Sequence, residues 1–225
     1  MRTPPGEKEI VDLENEIVAS LKRLKSRTTE SIRTVRREFS RRLAKEPPEF
    51  IVALALKLTR GQSVPRFFAY ELVQHHAAAF RSLDPRSLEE LSRGNDSWET
   101  VDSFACYLAG PAWREGQVSE ALIRRWARSS DRWWRRTALA STVPLNNKAR
   151  GGRGDTHRTL SICKLLLTDR DDMVVKALSW SLRELSKRDP ESVRKFLKQN
   201  KNALAPRVIR EVSNKLQTGL KNPRK

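Results

Sequence analysis

Trp98 and Asp102 are the residues of this chain whose types and spacing point most directly to chemistry. They lie four positions apart, so on a helix they would share one face, a single turn apart. An indole face and a carboxylate held side by side can stabilise a positively charged group. Two plainer interpretations stay open. Trp98 could fill the core between helices, and Asp102 could form a structural ion pair with an arginine.

The rest of the chain is strongly cationic. It has 45 lysines and arginines against 27 aspartates and glutamates, a formal net charge of +18. Such an excess favours a polyanionic partner, and nucleic acid is the usual one. A merely basic protein, of the kind found in ribosomes, is the alternative. Charge of this kind predicts affinity for nucleic acid without sequence specificity.

The elements that would position Trp98 and Asp102 are all predicted to be helices. Apolar residues recur at spacings of three and four, and we see no alternating strand pattern. Four similar helix starts, at positions 63, 96, 131 and 171, are 33, 35 and 40 residues apart. This period is typical of HEAT-like or armadillo-like helix pairs. The sequence therefore predicts an all-α solenoid of about six HEAT-like helix pairs with a concave basic groove.

We expect a single domain over residues 7–220, with a flexible tail at 1–6 and a basic tail at 221–225. The long interval before the fourth helix start contains a glycine-rich basic segment, residues 144–158, which reads as a loop too flexible for a helix. This loop could contact phosphates, or it could be disordered surface. Its candidate DNA-binding residues are Lys148, Arg150, Arg153 and Arg158.

The sequence suggests neither a metal site nor a cofactor. Cys106 and Cys163 stand alone in apolar helical patterns, which is typical of buried thiols. The three histidines lack zinc-ligand spacing. No apolar run approaches the roughly 18 residues of a membrane span, and the N-terminus has no signal-peptide core. We expect a soluble, intracellular monomer.

Equivalent helices of successive repeats carry the remaining candidates. In a solenoid, the second helix of each repeat usually lines the face that binds extended ligands. These helices hold Trp98 and Asp102, then Arg135 and Arg136, then Lys176, Trp180 and Arg183. Arg136 also fits the position at which an arginine of a HEAT helix stabilises the next repeat. Trp180 could equally be a core residue.

Three segments, residues 98–102, 134–138 and 175–184, resemble the signature segments of the AlkD-type DNA alkylation-repair glycosylases. These are bacterial enzymes built from HEAT-like repeats, and the resemblance covers about residues 28–218. It implies a DNA glycosylase of base-excision repair, acting in the bacterial cytoplasm on the nucleoid. The implied substrates are positively charged N-alkylpurines in duplex DNA, such as N3-methyladenine and N7-methylguanine, with room for bulkier adducts.

The resemblance also implies a role for each candidate. Asp102 would be the catalytic carboxylate, Trp98 and Trp180 the aromatic walls of the site, and Arg136 a clamp on the DNA backbone. The expected further DNA contacts are Arg135, Lys148, Arg150, Arg153, Arg158, Lys176 and Arg183. The segment at residues 144–158 is longer and more basic than the family pattern.

These residue types suit the implied reaction. Alkylation at N3 or N7 makes a purine cationic and weakens its glycosidic bond. A carboxylate near C1′ can stabilise an oxocarbenium-like deoxyribose and can position or deprotonate water. Two other functions remain open: a non-catalytic HEAT-like scaffold that binds DNA or RNA, and a protein-interaction module with an acidic partner.

Overall fold

The computed structural model describes residues 6–223, and it is helical with no strand in that range. The prediction of an all-α fold is confirmed. The chain divides into two compact units, residues 1–94 and 95–225. Most of the two predicted tails, residues 1–5 and 224–225, lies outside the described residues. Between residues 6 and 223, no helix is both long and apolar enough to cross a membrane.

The first unit consists of six helices. They are α1 (Glu7–Lys22), α2 (Thr29–Arg42), α3 (Pro48–Arg60), α4 (Arg66–His75), α5 (Ala77–Arg81) and α6 (Pro85–Ser92). The amphipathic α2 packs against α4, and α3 packs against α1 and α4. Phe39 of α2 meets Phe68 of α4 edge to face, with ring centroids 6.5 Å apart.

A buried ion cluster joins α2 to α4. Glu71 of α4 accepts hydrogen bonds from Arg33 Nε at 2.8 Å and from Arg36 Nε at 3.2 Å. The Glu71 side chain is only 3% exposed, so its charge depends on these two arginines. This ion cluster has a structural role, because it joins two helices. The ion pairs of the second unit are compared with it below.

The second unit contains the predicted site residues. Its helices are α7 (Trp98–Phe104), α8 (Gly110–Arg114), α9 (Glu120–Ala127), α10 (Arg132–Ala140), α11 (Val143–Asn146), α12 (Thr156–Leu165), α13 (Asp172–Leu185), α14 (Pro190–Gln199) and α15 (Pro206–Thr218). Helices α7, α10, α13 and α15 pack side by side in that order, and we call them the α7 row. Helices α9, α12 and α14 pack against this row from a second layer. This is the packing of stacked helix pairs.

The polar residues at the helix starts set the register of the α7 row. Asp131 accepts a hydrogen bond from the Trp133 amide, and Asp171 accepts one from the Met173 amide, so both cap their helices as predicted. At α7 the cap is Ser97 rather than Asp96. The start predicted at residue 63 is also displaced, because α4 begins at Arg66 without a side-chain cap.

Residues 144–158 are not the flexible loop that the sequence suggests. They contain the end of α11, a 3-10 turn at Lys148–Arg150 and the start of α12. The buried Asn146 side chain donates to Thr142 O and to Thr159 Oγ1, at 3.0 and 2.8 Å. Gly152 packs so tightly that an added Cβ would lie 2.5 Å from Pro144 O. The glycine content of this segment wrongly predicts flexibility, because Gly152 permits close packing of the backbone.

Candidate functional site

Trp98 and Asp102 lie one turn apart on α7. Trp98 is the first residue of the helix, and 53% of its surface is exposed. The alternative that Trp98 fills the core is therefore wrong. The Asp102 side chain is 16% exposed, so it keeps some contact with solvent. An accessible indole thus precedes a mostly buried acid on the same short helix.

Arg136 of α10 holds the Asp102 carboxylate from the side. Its Nε donates to Asp102 Oδ1 at 2.9 Å, and its Nη2 donates to Oδ2 at 2.7 Å. Its Nη1 donates to the Met173 carbonyl at the start of α13, at 2.6 Å. Because the Arg136 side chain is only 6% exposed, its guanidinium faces protein groups and lies away from the surface. It fixes the direction of the carboxylate and ties three helices of the α7 row together.

Burial and pairing act in opposite directions on Asp102. Loss of hydration raises the pKa of the Asp102 carboxyl above its ordinary value, while the hydrogen bonds and charge of Arg136 lower it; the effect of burial is the larger. A carboxylate with a raised pKa is a stronger base than an exposed aspartate. It also exerts a stronger field, because water screens it less.

A second pair in the α7 row shows how Asp102 differs from a purely structural acid. Glu211 of α15 accepts a hydrogen bond from Ser179 Oγ at 2.6 Å and lies 4.0 Å from Arg183 Nε on α13. The Glu211 side chain is 6% exposed, against 16% for Asp102. Asp102 likewise pairs with an arginine of a neighbouring helix, but it is bound more directly and keeps more contact with solvent.

An aromatic cluster positions α7. The Trp126 ring of α9 lies 5.0 Å from Trp134 of α10 and 6.4 Å from Phe104 of α7, measured between centroids. Trp180 of α13 is half-buried, and α10 lies between its helix and that of Trp98. Trp134 thus belongs to the packing that supports the site, while Trp98 and Trp180 remain partly accessible.

Many of the predicted DNA-binding residues have partners within the protein. Arg135 binds Asp169 at 2.7 Å, and Lys176 binds Asp172 at 2.7 Å. Arg150 lies over the Tyr107 ring, 4.7 Å from its centroid. The others fall into two groups: Arg158 and Arg183 contact neighbouring acids, and Lys148 and Arg153 are exposed. The structure therefore places Lys148 and Arg153 most openly towards solvent.

Sequence reasoning missed an irregular turn that begins three residues after Asp102. Residues Ala105–Ala109 form a π-helical turn that continues α7 into α8. Turns of this type often occur at functional sites. The signal available in the sequence is Gly110 followed by proline within an apolar pattern. Gly110 packs so closely that an added Cβ would lie 2.5 Å from the Ser141 carbonyl oxygen.

Both cysteines are buried, as predicted. Burial raises the pKa of the Cys106 thiol to about 12, and it also raises that of Cys163. Neither thiol is therefore prepared to act as a nucleophile. Among residues 6–223, no group of three or more histidine, cysteine, aspartate or glutamate side chains is placed to hold a metal ion.

Comparison with known proteins places this chain among repair proteins. None of the curated proteins matches the sequence. A solved structure described as a predicted DNA alkylation repair enzyme from Enterococcus faecalis shares the fold, with a TM-score of 0.68 at 15% sequence identity. The match covers 96% of this chain and 99% of that one. A family model for DNA alkylation repair enzymes matches residues 27–216, and the chain belongs to that family.

Proposed function

We propose that the protein is a DNA glycosylase that hydrolyses the N-glycosidic bond of positively charged N-alkylpurines in duplex DNA. The single observation that carries the proposal is the carboxylate of Asp102. It is held at two points by Arg136, belongs to a side chain that is 16% exposed, and lies one turn from the exposed Trp98. Membership in the DNA alkylation repair enzyme family supports the same reaction.

In this mechanism, Asp102 acts on the sugar. An alkylated, cationic purine is already a good leaving group, so a strong general acid is not required. Positive charge develops on the deoxyribose as the bond to the base breaks. A fixed carboxylate in a poorly hydrated position stabilises that charge without having to reorganise. Asp102 then orients the attacking water and accepts its proton, for which a raised pKa is favourable.

The surrounding residues have supporting roles. Trp98 offers an indole face to the cationic sugar or base, a contact worth roughly 0.5–2 kcal/mol. Trp180 forms a second aromatic wall from α13. We assign Arg136 a positioning role, since its described hydrogen bonds go to Asp102 and to the Met173 carbonyl. Exposed cations such as Lys148 supply salt-sensitive affinity for the DNA backbone.

The test is excision from methylated duplex DNA, with released bases identified by chromatography. We expect Asp102→Asn to bind DNA within about threefold of the wild type, because the exposed cations that supply this affinity are unchanged. Excision should fall roughly 10²–10⁴-fold. Glu99→Gln, which removes an exposed acid from the same helix, is the matched control and should excise normally. Loss of binding and excision in equal measure, or no loss of excision, would contradict the proposal.

The second candidate is a DNA-binding scaffold without activity. It is favoured by the likeness of the Asp102–Arg136 pair to the structural pair of Glu71 with Arg36. A scaffold would bind duplex DNA in a salt-dependent way, yet it would release no N7-methylguanine above the spontaneous rate. The same excision assay therefore separates the two candidates.

A further inference from the structure

A cavity of about 260 Å³ lies beside the ordered segment at residues 144–158. It is lined mainly by charged side chains. The side chains of the lining are Arg114, Glu115, Leu145, Arg153, Asp155 and Arg158. Along the continuous helix from α7 to α8, Arg114 lies 12 residues beyond Asp102, which is about 18 Å at the rise of an α-helix. The cavity is therefore separate from the candidate active site.

The charges of the cavity do not cancel. Arg114 Nε donates to Glu115 Oε1 at 2.8 Å, and Arg158 pairs with Asp155. Arg153 is exposed and forms no ion pair or hydrogen bond within residues 6–223. Three guanidinium groups therefore face two carboxylates, which leaves one positive charge in excess.

Two of the three arginines are held rigidly. Arg114 Nη1 donates to the Arg150 carbonyl at 2.6 Å, and Arg158 Nη1 donates to the Trp113 carbonyl at 2.8 Å. The Arg158 guanidinium also stacks over the Trp113 ring, 5.1 Å from its centroid. The Nη2 atom of each guanidinium takes no part in these bonds. The cavity thus has two fixed cationic walls and one adjustable cation, Arg153.

The lining is not suited to an extruded base. Pockets that take organic ligands are mostly apolar and usually span about 300–1,000 Å³, whereas this cavity is smaller and Leu145 is its one large apolar side chain. None of the described residues that line it carries an aromatic ring that could stack on a base. Guanidinium groups instead match phosphate oxygens, which they bind through paired N–H donors.

We propose that this cavity is a phosphate-binding site in which Arg153 closes on a phosphate group held between Arg114 and Arg158. The phosphate could come from the DNA backbone or from a terminal phosphate monoester. The DNA source rests on the proposed function, whereas binding of a phosphate group does not. Arg153 is the residue to change, because Arg114 and Arg158 also hold the chain together.

The first arm of the test measures inorganic phosphate by titration calorimetry at constant ionic strength. We expect one saturable site in the wild type and in the control variant Lys164→Ala. This control removes an exposed cation on α12, six residues beyond Arg158. In Arg153→Ala the affinity should fall about tenfold, as expected for loss of one charge-assisted hydrogen bond. Equal phosphate binding by the two variants, or no saturable site in the wild type, would overturn the proposal.

The second arm identifies the source of the phosphate with duplexes that carry or lack a 5′-phosphate. If a backbone phosphate occupies the cavity, Arg153→Ala reduces the slope of log affinity against log salt by about 0.9 for both duplexes. If a terminal phosphate occupies it, only the phosphorylated duplex is affected. Each of these outcomes supports the site, while an unchanged response to both duplexes counts against it. Excision is not measured in either arm, so failure of the glycosylase proposal is detected separately.

Discussion

At the scale of single residues, Asp102 combines a structural contact with free acceptor capacity. An ionised carboxylate offers about four acceptor positions, and Arg136 occupies two of them. Glu71 is fully enclosed by comparison, with 3% of its side chain exposed and two arginines bound. The unused positions of Asp102 are the ones that a water molecule or a cationic sugar could approach. An ion pair of a common repeat type can therefore also serve as a preorganised anion.

The ionisation of Asp102 leads to a pH prediction. Burial raises its pKa, so on acidification the carboxylate takes up a proton at a higher pH than an ordinary aspartate, whose pKa is 3.8. In the proposed mechanism the ionised form performs the reaction, so single-turnover excision should fall with a one-proton slope as the pH drops through this raised value. The measurement is the excision rate at saturating protein, with spontaneous base loss subtracted. A rate that stays constant or rises on acidification would show that the Asp102 carboxylate is not required.

At the scale of helices, the site depends on how α7 is supported. The cluster of Phe104, Trp126 and Trp134 fixes α7 against α9 and α10. Beyond it, the π turn at Ala105–Ala109 adds a residue to the turn and leads into α8. Gly110 then allows the backbone to approach Ser141 closely. The direction of Asp102 is thus supported by the packing at the C-terminal end of α7 and by its hydrogen bonds to Arg136.

Gly110→Ala tests this support. An added Cβ would lie 2.5 Å from the Ser141 carbonyl and 2.8 Å from Pro144 Cγ, so the backbone must move. We expect the free energy of unfolding to fall by about 1–3 kcal/mol, which is typical of overpacking. Gly6→Ala, whose Cβ would have no neighbour within 4 Å, should cost less than Gly110→Ala, at most about 1 kcal/mol for the poorer N-cap of α1. Urea denaturation measures both variants, and equal midpoints would show that the close approach at Gly110 is not needed.

The sequence predicts local features of this fold better than long-range ones. Asp131 and Asp171 could be recognised as helix caps because a cap acts on amides only a few residues away. The order of residues 144–158 depends instead on Asn146 bonding to Thr159, which composition does not reveal. The sequence leaves open an ion pair between Asp102 and an arginine, but it does not identify Arg136 as the partner. Deciding it required the packing of α7 against α10.

At the scale of the whole molecule, two sets of charges have different roles. The net charge of +18 attracts a polyanion from a distance, whereas the charges of the candidate site act on groups in contact with them. Exposed cations attract DNA through a field that salt screens within about 10 Å at 0.1 M. The pair of Asp102 with Arg136 is mostly buried, so added salt reaches it poorly. Binding and chemistry should therefore respond differently to ionic strength.

This difference can be tested by comparing the salt dependence of DNA affinity with that of the excision rate. If the protein contacts six to ten phosphates, its affinity for duplex DNA should fall roughly 10³–10⁵-fold between 50 and 200 mM salt. The single-turnover excision rate at saturating protein should change by less than about threefold, because the field of a buried carboxylate is weakly screened. Fluorescence anisotropy gives the affinity, and rapid-quench sampling gives the rate. A rate that falls in parallel with affinity at saturation would mean that the exposed cations, and not the buried Asp102, stabilise the transition state.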